Sequence, residues 1–385
     1  MKNNRPIIAH INRSFFGGSE TFIYHYISNL KQFHPICLGE DFVNLDQFPF
    51  PEEDLCSISI KWHLLRRPHH KITRRNFKRS TIVDKIVKKK NAKLLHAHFG
   101  KNGVYALQAK KRLEVPLITS FYGIYLSKLV KKKVGMEEYT ILFREGDLFL
   151  VEGPHMKSKL ENLGCPARKI QIQRIAIELD RIPFMTRKPK KPGGKVILIF
   201  SGRFVEKKGL IYALKAIKEA RKVKNNFVFL IIGDGPLKSE TKNFITTNEM
   251  SEYVRMPGFL SYENYLKEMQ KADIFIQPSV TASNGDSEGG APTTILEAQA
   301  MGMPVISSYH ADIPNIVIPG KSALLANEKD WRMLSTHIVH LLENQETWEQ
   351  MGHTGRRFVE THHDIKKEIT TLEGKYDLLL QTTYA

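Results

Sequence analysis

The strongest constraint on this chain is an alternation that runs through it twice: apolar runs of strand length, each followed by a stretch of helix length. In the first half the runs are PIIAHI, AKLLHAHF, VPLITSFYG and DLFLVEG, with ETFIYHYISNL among the helical stretches. In the second half they are VILIFSG, FVFLIIGDG, RMPGFL and DIFIQPSV, with a helix expected from about Leu210 to Lys222 after the first. Such alternation builds α/β sheets. Between the halves lies MTRKPKKPGGK, whose proline, glycine and lysine content reads as a linker. The expected division is residues 1–184, a linker at 185–194 and a second domain at 195–364, and 385 residues suffice for two domains. From Asp41 to Ser80 the alternation breaks down, and FPFPEED and RRPHHKITRRNFKR read as loop or excursion.

Charge narrows the partners. A formal charge of +18 asks for nucleic acid, an anionic membrane surface or a phosphorylated substrate. Nucleic acid is set aside, because no recognition module is visible and the basic residues are not interleaved with aromatic platforms. Cys37, Cys56 and Cys165 are widely spaced, with no CxxC pair and no local His/Cys ligand spacing, so neither a disulfide framework nor a zinc site is indicated. No apolar run approaches the ~20 residues that span a bilayer. The start, MKNNRPIIAHINRS, lacks the apolar region of a signal peptide, so a cytoplasmic chain is expected.

In parallel sheets, ligands bind beyond the carboxyl ends of strands. Three loops of the second half qualify. SGRFVEKKGL carries Gly202, Arg203 and Lys208, a cationic pair suited to a pyrophosphate. IIGDGPLK places Gly233 and Gly235 in a tight turn. DSEGGAPTTILE sets Glu288 and Glu297 across a glycine-rich turn at a helix start, where Gly289, Gly290, Ala291, Pro292 and Thr293 can offer backbone N–H groups to an anion. The first half has Gly17 and Gly18 after its first strand, with Ser19 as helix N-cap, either a phosphate turn or an ordinary glycine turn. His96 and His98 alternate on a strand and face one side; no third metal ligand is evident, so buried or substrate-facing imidazoles are expected. His362 and His363 fall on an expected surface helix and receive no role.

The ordered set GGSETF, HAHFG, SFYG, SGRFVEKKGL, GDGPL, PGF, SEGGAPTTILEAQAMGMPVI and GKSALL resembles the retaining nucleotide-sugar glycosyltransferases of family 4, whose fold is GT-B, and covers nearly the whole chain. The resemblance implies two Rossmann-like domains facing each other across a cleft, with the last helix, 365–385, returning to the first. It implies that Arg203 and Lys208 hold the donor pyrophosphate, that Glu288 and the amides after it meet the donor sugar, and that Glu297 binds the ribose. The first domain takes the acceptor, with His98 and Tyr122 on the acceptor or sugar side. Two departures stand out. GGAPTTIL between the glutamates is one residue longer than the family pattern, so a bulge is expected. Where the family often carries HGxD, this chain reads YGIY, with Tyr122 for the histidine and Tyr125 for the aspartate; a phenol can still donate one hydrogen bond.

The expected activity is hexosyl transfer with retention from a UDP- or GDP-linked sugar to a glycan or lipid-linked acceptor, with no metal and no other cofactor. Lys61, Arg66, Arg67, Lys71, Arg74, Arg75, Lys78 and Arg79, and Lys128 with Lys131 to Lys133 beside Leu126, Leu129 and Val130, suit an anionic membrane surface. A peripheral place at the inner face of the plasma membrane is therefore expected.

Overall fold

The structure is a computed structural model. It describes residues 5–18, 20–59, 71–123 and 133–384, with backbone alone for 71–80, 133–135 and 383–384. The chain divides into two compact units: 1–152, 156–173 and 365–385 form the first, and 153–155 with 174–364 the second.

The first unit opens with β1 (Ile7–Ile11), β2 (Ser14–Phe15), α1 (Thr21–Ser28), β3 (His34–Gly39), β4 (Asp41–Phe42) and β5 (Leu55–Ser57). It continues through α2 (Lys71–Lys90), β6 (Ala92–His98), α3 (Gly100–Leu113), β7 (Leu117–Ser120), α4 (Lys133–Glu145), β8 (Leu148–Val151), α5 (Pro154–Asn162) and β9 (Ile170–Ile172). Among the described residues these strands form a parallel sheet in the order β5-β3-β1-β6-β7-β8-β9, with β2 and β4 as a separate ribbon. The strand order reverses between β1 and β6. Their register sets His10 opposite His96, and His98 two residues nearer the carboxyl edge.

The C-terminal helix (Ile365–Tyr384) returns to this unit. Ile365, Ile369, Leu372 and Tyr376 are buried, and their spacing places them on one helical face. Polar contacts complete the docking. Glu373 Oε1 accepts the N–H groups of Lys31 at 2.6 Å and Gln32 at 2.7 Å, and Gln173 Nε2 donates to Glu368 Oε2 at 2.7 Å.

The second unit runs β10 (Val196–Ser201), α6 (Leu210–Val223), β11 (Phe227–Ile232), α7 (Lys238–Thr247), β12 (Val254–Gly258), α8 (Tyr262–Lys271), β13 (Ile274–Ile276), α9 (Thr293–Ala300), β14 (Val305–Ser308) and β15 (Ala323–Ala326). α10 (Trp331–Glu343) and α11 (Trp348–His362) follow, and the C-terminal helix is α12. The sheet order is β12-β11-β10-β13-β14-β15, the doubly wound arrangement, whose reversal lies between β10 and β13. Phe200, Phe204, Phe227, Phe229, Ile274 and Trp348 lie in its core.

Three expectations change. The segment at 185–194 is packed rather than a free linker: Arg187 is buried with Nη2 donating to the Met269 carbonyl at 3.2 Å, and Lys190 Nζ lies 2.8 Å from Asp273 Oδ1. Both side chains find partners that a free linker would not have, the Met269 carbonyl of α8 and the Asp273 carboxylate. The division falls at residue 174 rather than 184, since Ile177 N–H donates to the His363 carbonyl at 2.9 Å and His363 Nδ1 to the Ile175 carbonyl at 2.6 Å. His363 is thus a buried C-cap, not a surface residue. Finally, 71–90 is helical, where 41–80 read as loop. Ser19, Lys61, Arg66, Arg67, Tyr125, Leu126, Lys128, Leu129, Val130, Lys131 and Lys132 lie outside the described residues. Lys71, Arg74, Arg75, Lys78, Arg79 and Lys133 belong to α2 and α4 by backbone alone.

Candidate active site

At the reversal point of the second sheet, the loops after β10 and β13 are forced together by Gly209. Its φ is +69°, and a Cβ there would sit 1.8 Å from the Pro278 carbonyl oxygen, so only glycine permits the approach. Val280 N–H then donates to the Lys207 carbonyl at 2.9 Å. Side chains of the VEKK stretch extend the junction. Glu206 accepts from the Ser283 N–H at 2.8 Å and hydroxyl at 2.7 Å. Lys207 Nζ lies 3.2 Å from Asp286 Oδ1 and donates to the Ser287 carbonyl at 3.1 Å.

Lys208 Nζ reaches Glu288 Oε1 at 2.8 Å, and Ser279 Oγ donates to the same oxygen at 3.0 Å. Glu288 is buried. Burial alone would raise its pKa, but Lys208, Lys207 and the hydrogen bonds from Lys208 and Ser279 outweigh it and hold the carboxyl below its ordinary range. Arg203 differs: it is exposed, and its guanidinium has no partner among the described residues. The two cations of one motif are therefore not equivalent, since one is committed to a carboxylate and the other faces water.

Among the described residues nothing accepts from the N–H groups of Gly289, Gly290 or Ala291, although Gly290 and Ala291 are buried. Pro292 occupies the N-cap position and α9 begins at Thr293. Unpaired amides at a helix start favour an anion. Glu297, buried on α9, accepts from Tyr262 Oη at 3.2 Å and Tyr265 Oη at 2.7 Å. Both glutamates are thus held by separate partners. The glycines of IIGDGPLK have a packing reason. Cβ atoms at Gly233 and Gly235 would lie 2.0 Å from the Gly202 carbonyl oxygen and 2.7 Å from the Phe204 backbone, so this turn closes on the Arg203 loop.

In the first unit, His98 Nδ1 lies 3.0 Å from Tyr122 Oη, and its Nε2 3.1 Å from His10 Nδ1. His96 bonds Tyr376 Oη at 2.6 Å through Nδ1 and Ser120 Oγ at 2.8 Å through Nε2. Burial lowers all three imidazoles, that of His98 to about 3, so they are neutral. Nitrogens of His10, His96 and His98 all lie within 4.8 Å of one another, which makes His10 the third imidazole that sequence reading missed. Both His96 nitrogens are engaged, and His10 bonds His98, so gathering them on a cation would break existing bonds. Gly17 and Gly18 have open space where a Cβ would project, so nothing in the fold demands glycine there. The N-cap position of α1 falls at Glu20, without a side-chain cap bond.

Sequence reading also missed Lys207, Tyr262, Tyr265 and His310. Lys207 had a signal, being the middle charge of VEKK; the tyrosines and His310 act across long separations that no local pattern reports.

Comparison with known proteins gives the family and the fold. The model described as glycosyl transferases group 1 matches residues 182–358, and that described as glycosyltransferase family 4 matches residues 16–181. The chain is 31% identical to WcaL of Escherichia coli K12, whose name assigns it to colanic acid biosynthesis as a glycosyltransferase, over 81% of this chain and 76% of that protein. It is 32% identical to AmsK of Erwinia amylovora, an amylovoran biosynthesis glycosyltransferase, over 66% of this chain and 62% of that one. Among solved structures, HepE of Anabaena in complex with UDP superposes with a TM-score of 0.78 at 14% identity, covering 97% of this chain and 99% of that one. A glycosyltransferase of Rickettsia africae gives 0.79 at 17% identity, with 98% and 99% covered. Two parallel-sheet α/β units, the second doubly wound, together with the fold shared with these solved glycosyltransferases, place the chain in the GT-B class. The chain belongs to glycosyltransferase family 4, with a group 1 glycosyl transferase domain as its second half.

Proposed function

We propose that the enzyme transfers a hexosyl group, with retention of configuration, from a nucleotide sugar to a glycan or lipid-linked acceptor in cell-surface polysaccharide synthesis. The observation that carries this reading is the Lys208–Glu288 pair at the reversal point, followed by the unpartnered amides of Gly289 to Ala291. The amides and Arg203 receive the donor's diphosphate, Lys208 adds charge beside the Glu288 carboxylate, and Glu297 takes the ribose hydroxyls. As the sugar–phosphate bond breaks, the sugar becomes oxocarbenium-like and negative charge grows on the leaving oxygen, which fixed positive charge stabilises. Glu288, already shared between Lys208 and Ser279, stays ionised and is placed as a hydrogen-bond acceptor toward the sugar rather than as a proton donor. The leaving phosphate takes the acceptor proton, with attack on the face it vacates. Positive charge does here what a divalent ion does elsewhere, so no metal is required. The first unit supplies the acceptor side, with the Tyr122 hydroxyl in place of an imidazole.

The relatives in colanic acid and amylovoran synthesis support a polysaccharide product, and the UDP held by HepE supports testing UDP-sugars first. UDP-, GDP- and ADP-sugars, screened for hydrolysis and for thermal stabilisation, test the donor; a bound donor raises apparent stability according to its affinity. An enzyme that none of them stabilises and that hydrolyses none would refute the reading. Anomeric analysis of the product decides between retention and the alternative, inversion or epimerisation.

We further place the enzyme peripherally at the cytoplasmic membrane face, on the basis of its +18 charge. Among the described residues no helix is long and apolar enough to cross a membrane. Co-sedimentation with vesicles containing anionic lipid is expected at low salt and not at high salt, and weaker for a variant with Lys131, Lys132 and Lys133 changed to Glu. Absence from the low-salt pellet would mean a soluble acceptor.

A further inference from the structure

One imidazole ties together the carboxyl ends of three adjacent strands. His310 follows β14 and is buried. Its Nε2 lies 3.0 Å from the Glu288 backbone nitrogen and its Nδ1 2.5 Å from Glu328 Oε1. A backbone N–H can only donate, so Nε2 carries the lone pair, and the proton on Nδ1 is donated to Glu328. Glu328 follows β15, and its carboxylate also accepts from the Thr281 N–H at 2.8 Å and hydroxyl at 3.2 Å. It therefore holds the start of the loop that carries Glu288, while His310 holds the glutamate itself. Ala311, next to His310, adopts a left-handed φ of +48°, a conformation that costs energy for a residue with a Cβ. With the Glu288 N–H taken by His310, the amides of Gly289 to Ala291 that follow it are the ones without acceptors among the described residues.

We propose that His310, held in its Nδ1–H tautomer by Glu328, is a positioning residue that orients the Glu288–Ala291 segment and so governs how the donor's sugar and phosphate are received. The proposal rests on the reading that Glu288 and the amides after it meet the donor. Glu288 is then anchored at two points, its carboxylate by Lys208 and Ser279 and its main chain by His310. Loss of the second anchor leaves the carboxylate attached but lets the amides swing, which harms bond cleavage more than nucleotide binding.

The test measures release of nucleoside diphosphate from the nucleotide sugar that the wild-type enzyme hydrolyses, together with UDP and GDP binding by calorimetry. In His310→Ala, kcat should fall on the order of 10²-fold, the effect of a small misplacement of reacting groups. Diphosphate affinity should fall by far less than kcat, because only the amide contacts are loosened while Arg203, Lys208 and Glu297 are untouched. His310→Gln, whose amide oxygen can accept from the Glu288 N–H, should recover most of the turnover. Glu328→Gln, which can turn an amide N–H toward His310 and admit the other tautomer, should fall between. Equal loss of turnover and diphosphate binding in His310→Ala, or no recovery in His310→Gln, would show a packing role only and overturn the proposal. Should His310→Ala fail to fold, wild-type kcat in Glu328→Gln overturns it. Glu288→Gln separates the two levels. If that variant is impaired while His310→Ala is not, the proposal fails and the functional reading stands; if Glu288→Gln turns over normally, both fall.

Discussion

A lysine whose ammonium lies 2.8 Å from a buried carboxylate cannot be removed without stranding a charge. Lys208→Ala should therefore lower stability by about 3 kcal/mol, the scale for breaking a buried pair, and also lower turnover. Arg203→Ala should lower kcat by the equivalent of about 2.7–4 kcal/mol, the loss of one charge-stabilising donor. It should change stability by no more than about 0.5 kcal/mol, because the guanidinium is exposed and has no partner among the described residues. Urea denaturation and steady-state kinetics on the two variants check this, and equal stability losses would place Arg203 in the packing. Tyr122→Phe should weaken transfer and leave nucleoside diphosphate binding intact. The change also leaves His98 Nδ1 without its partner at 3.0 Å, a cost of about 1–3 kcal/mol, so a drop in Tm should accompany the kinetic loss. A variant that transfers sugar at the wild-type rate would reduce the Tyr122 hydroxyl to a structural group. Of these contacts the sequence showed only the participants; that Lys208 and Glu288 meet, and that Arg203 stands apart, depends on loops many residues distant in the chain.

Among the elements, the loop after β10 shows why composition alone mistakes the reason for a glycine. Gly17 and Gly209 look alike in sequence, yet only the second is compelled by its surroundings. Gly209→Ala would drive a Cβ into the Pro278 carbonyl, and the Lys208 and Glu288 loops would separate, with loss of donor-induced thermal stabilisation. Gly17→Ala should leave Tm within about 1 °C, the response expected where nothing crowds the side chain, so any loss of activity there would point to a ligand. Reversed outcomes at the two positions would contradict the geometry. Strand-length apolar runs such as FVFLII and VILIFS were legible because burial on both faces demands uninterrupted hydrophobicity. α2 was not, since the basic residues and Pro68 between Asp41 and Ser80 hide its start. The MTRKPKKPGGK segment misled for the converse reason, because Arg187 and Lys190 find partners in α8 and at Asp273 that only the folded chain brings near.

For the whole molecule, the buried imidazoles set the response to acid. His10, His96 and His98 have folded-state pKa values below their ordinary 6.5 through burial. As pH falls below about 6.5 the unfolded chain takes up protons that the folded chain refuses, so stability is fully present above that pH and declines below it. Each imidazole contributes up to about 1.4 kcal/mol per pH unit in that range. The urea midpoint should therefore fall between about pH 7 and pH 5, and less steeply in His96→Gln; a midpoint constant over that interval would mean that the imidazoles are hydrated. The sequence by itself determined that the chain forms two α/β units, that the glutamate loop and the Arg203–Lys208 loop each follow a strand, and that the whole resembles one family. These are properties of local periodicity and of residue order, which a linear pattern carries in full. The tertiary structure alone decided that Glu288 is anchored by Lys208 and His310, that Glu297 is clasped by two tyrosines, and that His10 completes a buried cluster. Those outcomes depend on which strand lies beside which. Strand order is set by long-range packing, and no stretch of sequence records it.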